Sequence, residues 1–463
     1  MYSLAFIAIA AFVLALLTTP LVRNFSRRCG ALDQPDWSRK LHNSPVPRVG
    51  GVAVAIAYVG SFALLKATQL HGGDLLSQSL PMAMRLLPAA LLILATGIAD
   101  DLFGLKPWHK LTAQVASASL AFWAGIHVQA FVGHHFAHWL SLPLTIVWLI
   151  ACTNSFNLID GLDGLAAGVG LFATVTMVIA ALSQHNVPLA LATIPLGGAL
   201  LGFLRYNFNP ATIFLGDSGS LFMGFLLGCY GVVWSQKSAT VLGMTAPLMA
   251  LSIPLLDTAL AITRRFLRQK PIFGADRGHI HHRLLDRGFT PRKVVIVLYA
   301  CCAVGALCSL AMAQGIFSGP IMIVFCLIAW IGIGHLGYIE FGVAGRMFID
   351  GAFRRLLNCN IALQGFEKDL VHAQTPDDCW SVIQAAANDF GFHHMEMMLA
   401  GRKYECPNGT ATGRFWNVRI PISDTDYLQL TRAFDTPVQT AAVAPFADVL
   451  RKTLEPKLTG FAA

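Results

Sequence analysis

ATGIADDLFGLKPWHK, residues 95–110, decides the architecture. An apolar run long enough to enter a bilayer stops on two adjacent carboxylates, Asp100 and Asp101, and a basic, Gly- and Pro-punctuated stretch with Lys106 follows. The pattern returns twice. Asp160 and Asp163 interrupt TNSFNLIDGLDGL (153–165), and Asp217 interrupts IFLGDSGSLF (213–222). Carboxylates at membrane depth are costly and by default mark a functional site. Several on one surface call for a compensating cation, and hard divalent ions such as Mg²⁺ take oxygen ligands. The expectation is a metal-dependent site at a membrane surface that handles phosphates.

Composition points the same way. The 463 residues are 55% hydrophobic and 13% charged, with a mean hydropathy of +0.59, which describes a multi-span membrane protein with a soluble appendage. Residues 1–341 hold 21 Lys/Arg against 12 acids, and residues 342–463 hold 12 against 13. The basic excess therefore belongs to membrane loops and excludes a nucleic-acid-binding reading. Ten scattered cysteines show no CxxC pair and no zinc spacing, so they read as buried hydrophobes. Arg23, Arg27 and Arg28 follow the first apolar segment instead of preceding it, the reverse of a cleaved signal peptide.

The fold expected is an all-α polytopic membrane protein of about 11 transmembrane helices, over 1–341, with a small C-terminal α/β cytoplasmic domain over 342–463. The spans fall at 1–22, 49–66, 84–99, 111–127, 139–153, 165–183, 187–204, 218–235, 241–263, 294–314 and 318–341. Connections 23–48, 100–110, 154–164, 205–217 and 264–293 carry 18 Lys/Arg, and the alternate ones carry three. By the positive-inside rule the first set is cytoplasmic, and all five aspartates lie in it. In the tail, TPDDCWSVIQAAANDFG starts with helix-capping types and runs at helical spacing. RFWNVRIPI and YLQLTR read as strands, and AAVAPFADVLRKTLEPKL reads as a closing amphipathic helix.

Other residues join the aspartates as candidates. Adjacent Asp100 and Asp101 can divide metal binding from proton acceptance, because like charges separate their pKa values. Asn154, Asn157, Asp160 and Asp163 are spaced at threes and would share one helix face. Asp217 precedes Ser218, Gly219 and Ser220, so it can offer a metal ligand beside free amides at a helix start, a position that suits phosphate oxygens. His279, His281, His282 and Arg283 occupy the most basic loop and suit diphosphate contacts through charge-assisted bonds. Lys40 and His42, with Arg48, lie in a Pro- and Gly-rich loop suited to covering an anionic substrate. Asp257, inside PLLDTAL, can support the site from behind.

These motifs, in order over roughly residues 1–300, resemble the polyprenyl-phosphate N-acetylhexosamine-1-phosphate transferases. They are KLH…P.P..GG, ADDxxGLKPWxK, NxxNLIDGLDGLAAG, NFNPAxIFLGDSGS, PLLDT and HIHHRLLDRG. The HIHHRL form is similar to the bacterial WecA-type branch and not to the phospho-MurNAc-pentapeptide branch. The resemblance implies that undecaprenyl phosphate attacks the β-phosphorus of UDP-N-acetylglucosamine, giving a lipid-diphosphate sugar and UMP and initiating a cell-surface polysaccharide. It implies Mg²⁺, with Mn²⁺ as an alternative, held by Asp217 and Asp101. Asp100, Asp101, Asp160 and Asp163 would be catalytic. Phe214 would stack on uracil, Asn154 and Asn157 would hold the nucleotide end, and Lys40 and Lys106 would touch phosphates. His279, His281, His282 and Arg283 would grip the diphosphate or sugar. The implied place is the bacterial inner membrane, with active site and tail cytoplasmic, and a homodimer is compatible with it.

Three rivals are weaker. An ion-coupled transporter would put its carboxylates near the bilayer midplane. A sensor anchored by its membrane part would leave the aspartates unexplained. A CDP-alcohol phosphotransferase would need an arginine that DGLDGLAAG lacks. Another UDP-N-acetylhexosamine would serve the same mechanism.

Overall fold

The computed structural model describes residues 2–33, 45–68, 71–131, 134–236, 244–267, 278–313, 318–338, 352–390, 392, 394–406, 415–423, 425–433 and 443–461. It divides into two units, 1–338 and 339–463.

The first unit is helical. Its long helices are α1 (Tyr2–Cys29), α2 (Gly50–Ala67), α3 (His71–Phe103), α4 (Pro107–Trp123), α5 (His138–Ile159), α6 (Leu165–Ser183), α7 (Val187–Asn207) and α8 (Gly216–Gln236). The short α9 (Thr245–Ala250), α10 (Ser252–Leu267) and α11 (Ile280–Asp286) precede α12 (Pro291–Ala313) and α13 (Ser318–His335). Two small ladders join them, β1 (Leu32–Asp33) with β2 (Val46–Pro47) and β3 (Ala130–Phe131) with β4 (His134–His135). Among the described residues, eight helices are long and apolar enough to cross a membrane: the chain is a multi-pass membrane protein.

Eight of the eleven expected segments are long apolar helices among the described residues, and the other three take shorter or divided forms. The segment expected at 111–127 belongs to the 17-residue α4, which starts four residues earlier because Pro107 favours the first helical turn. The segment at 241–263 is split at Leu251 into α9 and α10. Pro254 stands just past the break and has no amide to continue the α9 ladder. The last segment, 318–341, ends as helix at His335.

The bundle is organised around α8, which packs on α2, α3, α5 and α6 and is the most enclosed of the eight spans. Small residues allow that approach. A Cβ on Gly51 would lie 2.0 Å from the Gly219 nitrogen, and one on Gly97 would lie 2.5 Å from the Asp217 carbonyl. Backbones in contact at these points gain packing that lipid cannot offer. The start of α8 is thereby fixed against the start of α2 and the end of α3.

The second unit contains α14 (Ala352–His372), α15 (Pro376–Asp389), strands β5 (His394–Leu399), β6 (Arg402–Cys406), β7 (Phe415–Pro421) and β8 (Tyr427–Ala433), and α16 (Val443–Phe461). The strands form one antiparallel sheet in the order β6-β5-β8-β7. Alternate residues Met395, Met397 and Leu399 of β5 and Leu428 and Leu430 of β8 are buried with Leu370, Ile383, Phe446 and Leu450. The start of α15 is capped reciprocally: Asp378 donates its amide to Thr375 Oγ1, and Thr375 donates its amide to Asp378 Oδ2. Lys457 on α16 donates to the carbonyls of Leu370, Val371 and Ala373 at 2.7, 2.7 and 2.6 Å, closing the end of α14.

Candidate active site

The two adjacent aspartates at the end of α3 face different partners. The amides of Asp217 and Ser218 donate to Asp101 Oδ1 and Oδ2 at 2.8 and 2.9 Å, and Arg48 Nε stands 3.8 Å from Oδ1. Asp101 therefore caps α8 from a neighbouring helix, where a carboxylate also meets the positive end of the helix dipole. Asp100 accepts the Leu105 amide on Oδ1 at 2.7 Å and the Lys110 ammonium on Oδ2 at 3.0 Å. The same ammonium lies 2.6 Å from Asp217 Oδ2. Lys110 thus bridges two carboxylates brought together from α3 and α8.

Local chain geometry sets this up. After α3 the backbone reverses at Gly104 (φ +65°), and α4 returns with Lys110 in its first turn. Gly216 precedes Asp217 at φ +73°, where a side chain would be strained. Its missing Cβ would lie 1.7 Å from the Arg48 carbonyl oxygen and 2.7 Å from Asp101 Oδ2. The segment before it is fixed by ladder-like bonds: Phe214 N to Pro47 O, Gly50 N to Phe214 O and Gly51 N to Leu215 O, at 2.8, 3.0 and 2.8 Å. Phe214, half-buried, is presented at this rim.

The expected common face of Asn154, Asn157, Asp160 and Asp163 does not extend along the whole set, because α5 ends at Ile159. Asn154 and Gln114 exchange amide hydrogen bonds at 2.8 and 3.2 Å, tying α4 to α5. Asn157 donates to Ser220 Oγ on α8 at 3.1 Å. Asp160 sits at the end of α5; burial, then the nearby Asp217 and Asp101 charges, pushes its carboxyl well above the usual carboxylate range. Asp163 turns elsewhere, accepting from Asn209 Nδ2 at 3.1 Å and the Ala211 amide at 2.9 Å. It holds the turn after α7 in place.

The histidine loop is anchored by Asp257 of α10, which accepts from Ile280 N at 2.7 Å and pairs with His279 Nδ1 at 2.9 Å. The His279 and His281 rings are stacked with centroids 5.8 Å apart, and His282 lies 4.3 Å from His281. A Cβ on Gly161 would be 2.6 Å from His281 Nε2, so the loop reaches the turn that carries Asp160 and Asp163. Burial lowers the His281 pKa to about 3. Its imidazole is neutral at physiological pH, and its N–H can still donate to an ionised phosphate oxygen.

The donor set suits a divalent ion. Two carboxylate oxygens converge on one positive charge, and Mg²⁺ is commonly held by one or two carboxylates with substrate phosphates supplying further ligands. Among the described residues, no group of three or more His, Cys, Asp or Glu is arranged to hold a metal. Lys110 joins Asp217 to Asp100, and Asp101 accepts the amides at the start of the same helix.

Comparison with known proteins bears on the whole first unit. The model of glycosyl transferase family 4 matches residues 83–235. A probable undecaprenyl-phosphate N-acetylglucosaminyl 1-phosphate transferase of Bacillus subtilis is 33% identical, over 70% of this chain and 90% of that protein. The chain belongs to glycosyl transferase family 4. A decaprenyl-phosphate N-acetylglucosaminephosphotransferase of Mycobacterium tuberculosis is 32% identical over 68% of the chain and 83% of its own length. A phospho-N-acetylmuramoyl-pentapeptide-transferase of Levilactobacillus brevis is 28% identical over 65% and 94%.

In this family 4 chain, sequence reasoning missed Lys110 and chose Lys106. Lys106 is the exposed residue that precedes α4, while Lys110, one helical turn on, points back to Asp100. Gln114, buried one turn further along, was missed too. The spacing Lys106–Lys110–Gln114 at fours on a Pro-initiated helix was the available signal. Lys40 and His42 lie outside the described residues. Of their loop, Arg48 is in place, beside Asp33 and Asp101.

Proposed function

We propose that the protein transfers N-acetylglucosamine 1-phosphate from UDP-N-acetylglucosamine to undecaprenyl phosphate, releasing UMP. A lipid phosphate oxygen forms a bond to the β-phosphorus of the donor, and the bond from that phosphorus to the UMP oxygen breaks. The observation that carries this reading is the Asp100–Lys110–Asp217 bridge at the ends of membrane helices. Phosphoryl transfer needs positioned groups that neutralise oxygen charge more than it needs covalent chemistry, and this bridge joins both signs of charge where a lipid headgroup arrives.

Asp100 orients the lipid phosphate and accepts its proton where one is present. Lys110 follows the negative charge from the carboxylates to the incoming phosphates. Mg²⁺ bound by Asp217 and Asp100 would supply Lewis-acid stabilisation of the phosphoryl oxygens. Asp101 aims Asp217 by capping α8, and Asp163 holds the turn beneath the donor. Asp160 and Asn157 face the nucleotide end, with Phe214 against the base. His279, His281, His282 and Arg283 contact the diphosphate or sugar, His281 as a neutral imidazole. The excess of Lys/Arg in the loops on this side supports a cytoplasmic face of a bacterial inner membrane.

N-acetylglucosamine is favoured over a MurNAc-pentapeptide donor by the 33% and 32% identity to the Bacillus and Mycobacterium N-acetylglucosamine-1-phosphate enzymes, against 28% for the MurNAc-pentapeptide enzyme. An ion-coupled transporter is disfavoured, because these carboxylates stand at helix ends and α8 runs unbroken from its Asp217 end. The deciding experiment is UMP release by purified protein with undecaprenyl phosphate, Mg²⁺ and UDP-N-acetylglucosamine, against UDP-N-acetylgalactosamine and UDP-MurNAc-pentapeptide. Release that depends on both lipid and metal is expected with the first donor. Release with another donor alone corrects the sugar, and silence with every donor overturns the transferase.

A further inference from the structure

Tyr338, the last residue of the first unit, closes over the histidine loop from a point far along the chain. Its ring centroid lies 5.4 Å from Arg264 Cζ and 5.1 Å from Arg283 Cζ. Its hydroxyl donates to the Gly278 carbonyl at 3.1 Å, and Arg264 Nη1 donates to the same oxygen at 2.7 Å. Tyr338 and Arg264 are buried. One aromatic ring thus touches the end of α10 and the side chain of α11 that ends the HIHHR motif. A guanidinium over an aromatic face gains most when the pair is desolvated, and the planar group is held in orientation as well as in place. Asp257 fixes the front of α11 through His279 and Ile280, but does not constrain Arg283, one turn later.

A tyrosine that only filled space would need neither its hydroxyl on the backbone leading into His279 nor its ring against two cations. We propose that Tyr338 is a positioning residue for donor binding, holding the Arg283 guanidinium and the Gly278–His279 backbone where the donor diphosphate is received. The inference rests on the transferase reading for the identity of that donor. Tyr338 acts through Arg283 and touches no reacting atom.

The test compares full-length Tyr338→Leu and Tyr338→Phe with wild type. Tyr338→Leu removes the π face and is expected to raise KM for UDP-N-acetylglucosamine about tenfold. Its kcat and its KM for undecaprenyl phosphate stay within about twofold of wild type. Tyr338→Phe keeps the ring between the guanidiniums and stays within about threefold for the donor. In an Arg283→Gln background the leucine change adds less than about twofold, since its target is gone. Tyr338→Met, similar in volume but without a π face, carries the same expectation should the leucine variant not fold. A wild-type donor KM in the folded variant overturns the inference, as does an equal loss in kcat and both KM values. Calorimetric binding of UDP-N-acetylglucosamine to the same proteins separates the two readings. Tyr338-dependent binding without turnover in the wild type overturns only the reaction.

Discussion

Replacing Lys110 by methionine keeps the aliphatic stem and deletes the charge that Asp100 and Asp217 share at 3.0 and 2.6 Å. The three side chains are 21%, 10% and 15% exposed, low enough that solvent does little to screen the loss. Removing one partner of a buried ion pair costs about 3–5 kcal/mol, mostly because the remaining charge is left uncompensated. Here two carboxylates are left facing one another. Reversible SDS unfolding of the purified protein in EDTA should therefore show Lys110→Met less stable by about that amount, with Lys110→Arg near wild type. Added Mg²⁺ should recover part of the deficit in the methionine variant and change the wild type less. UMP release should fall by at least about 10²-fold, the loss typical of one preorganised charge at a reacting centre. Lys110→Met as stable as wild type in EDTA would refute the bridging role.

Gly216→Ala places a side chain at φ +73° against the Arg48 carbonyl and Asp101; a loss of at least about 2 kcal/mol, with most of the UMP release, is expected in the same assays. Asp101→Asn leaves one acceptor oxygen for the two amides of Asp217 and Ser218 and should cost about 1–2 kcal/mol, as cap losses do. The neutral, buried His281 has its pKa depressed from 6.5 to about 3. Its contribution to stability is complete above about pH 6.5 and is lost as pH falls from there toward 3, so His281→Gln should flatten the pH dependence of the unfolding midpoint over that window. Lys457→Met removes three bonds to α14 carbonyls. It should speed hydrogen exchange at the end of α14, with UMP release unchanged.

Hydropathy located α6 residue for residue and the starts of α7 and α13, because a bilayer demands continuous apolar sequence. It failed where length and geometry outweigh composition. The first turn of α4 is polar enough to read as loop, so Lys110 was counted outside the helix that aims it. Nothing apolar marks the break at Leu251. The three-residue spacing of Asn154 to Asp163 was real, but α5 stops at Ile159 and the last aspartate serves a different turn. In the second unit the helix at 376–389 and strands at 415–421 and 427–433 were legible. The β5–β6 hairpin was not: its turn is Ala400–Gly401, with alanine at φ +50°, and HMEMML lacks the β-branched residues that advertise a strand. Sequence could not reveal that the amides of residues 217 and 218 arrive on the oxygens of Asp101.

That last contact has a consequence in time. Asp101 waits for amides 116 and 117 residues further along the chain, a delay of roughly 6–23 s at about 5–20 residues per second of synthesis. Asp100 waits only ten residues for Lys110. The α3–α4 hairpin thus carries the lysine partner of one of its two acids within itself, and α8 supplies the second carboxylate that the same lysine bridges. Chains halted before residue 217 lack both of the amides that Asp101 accepts in the finished protein.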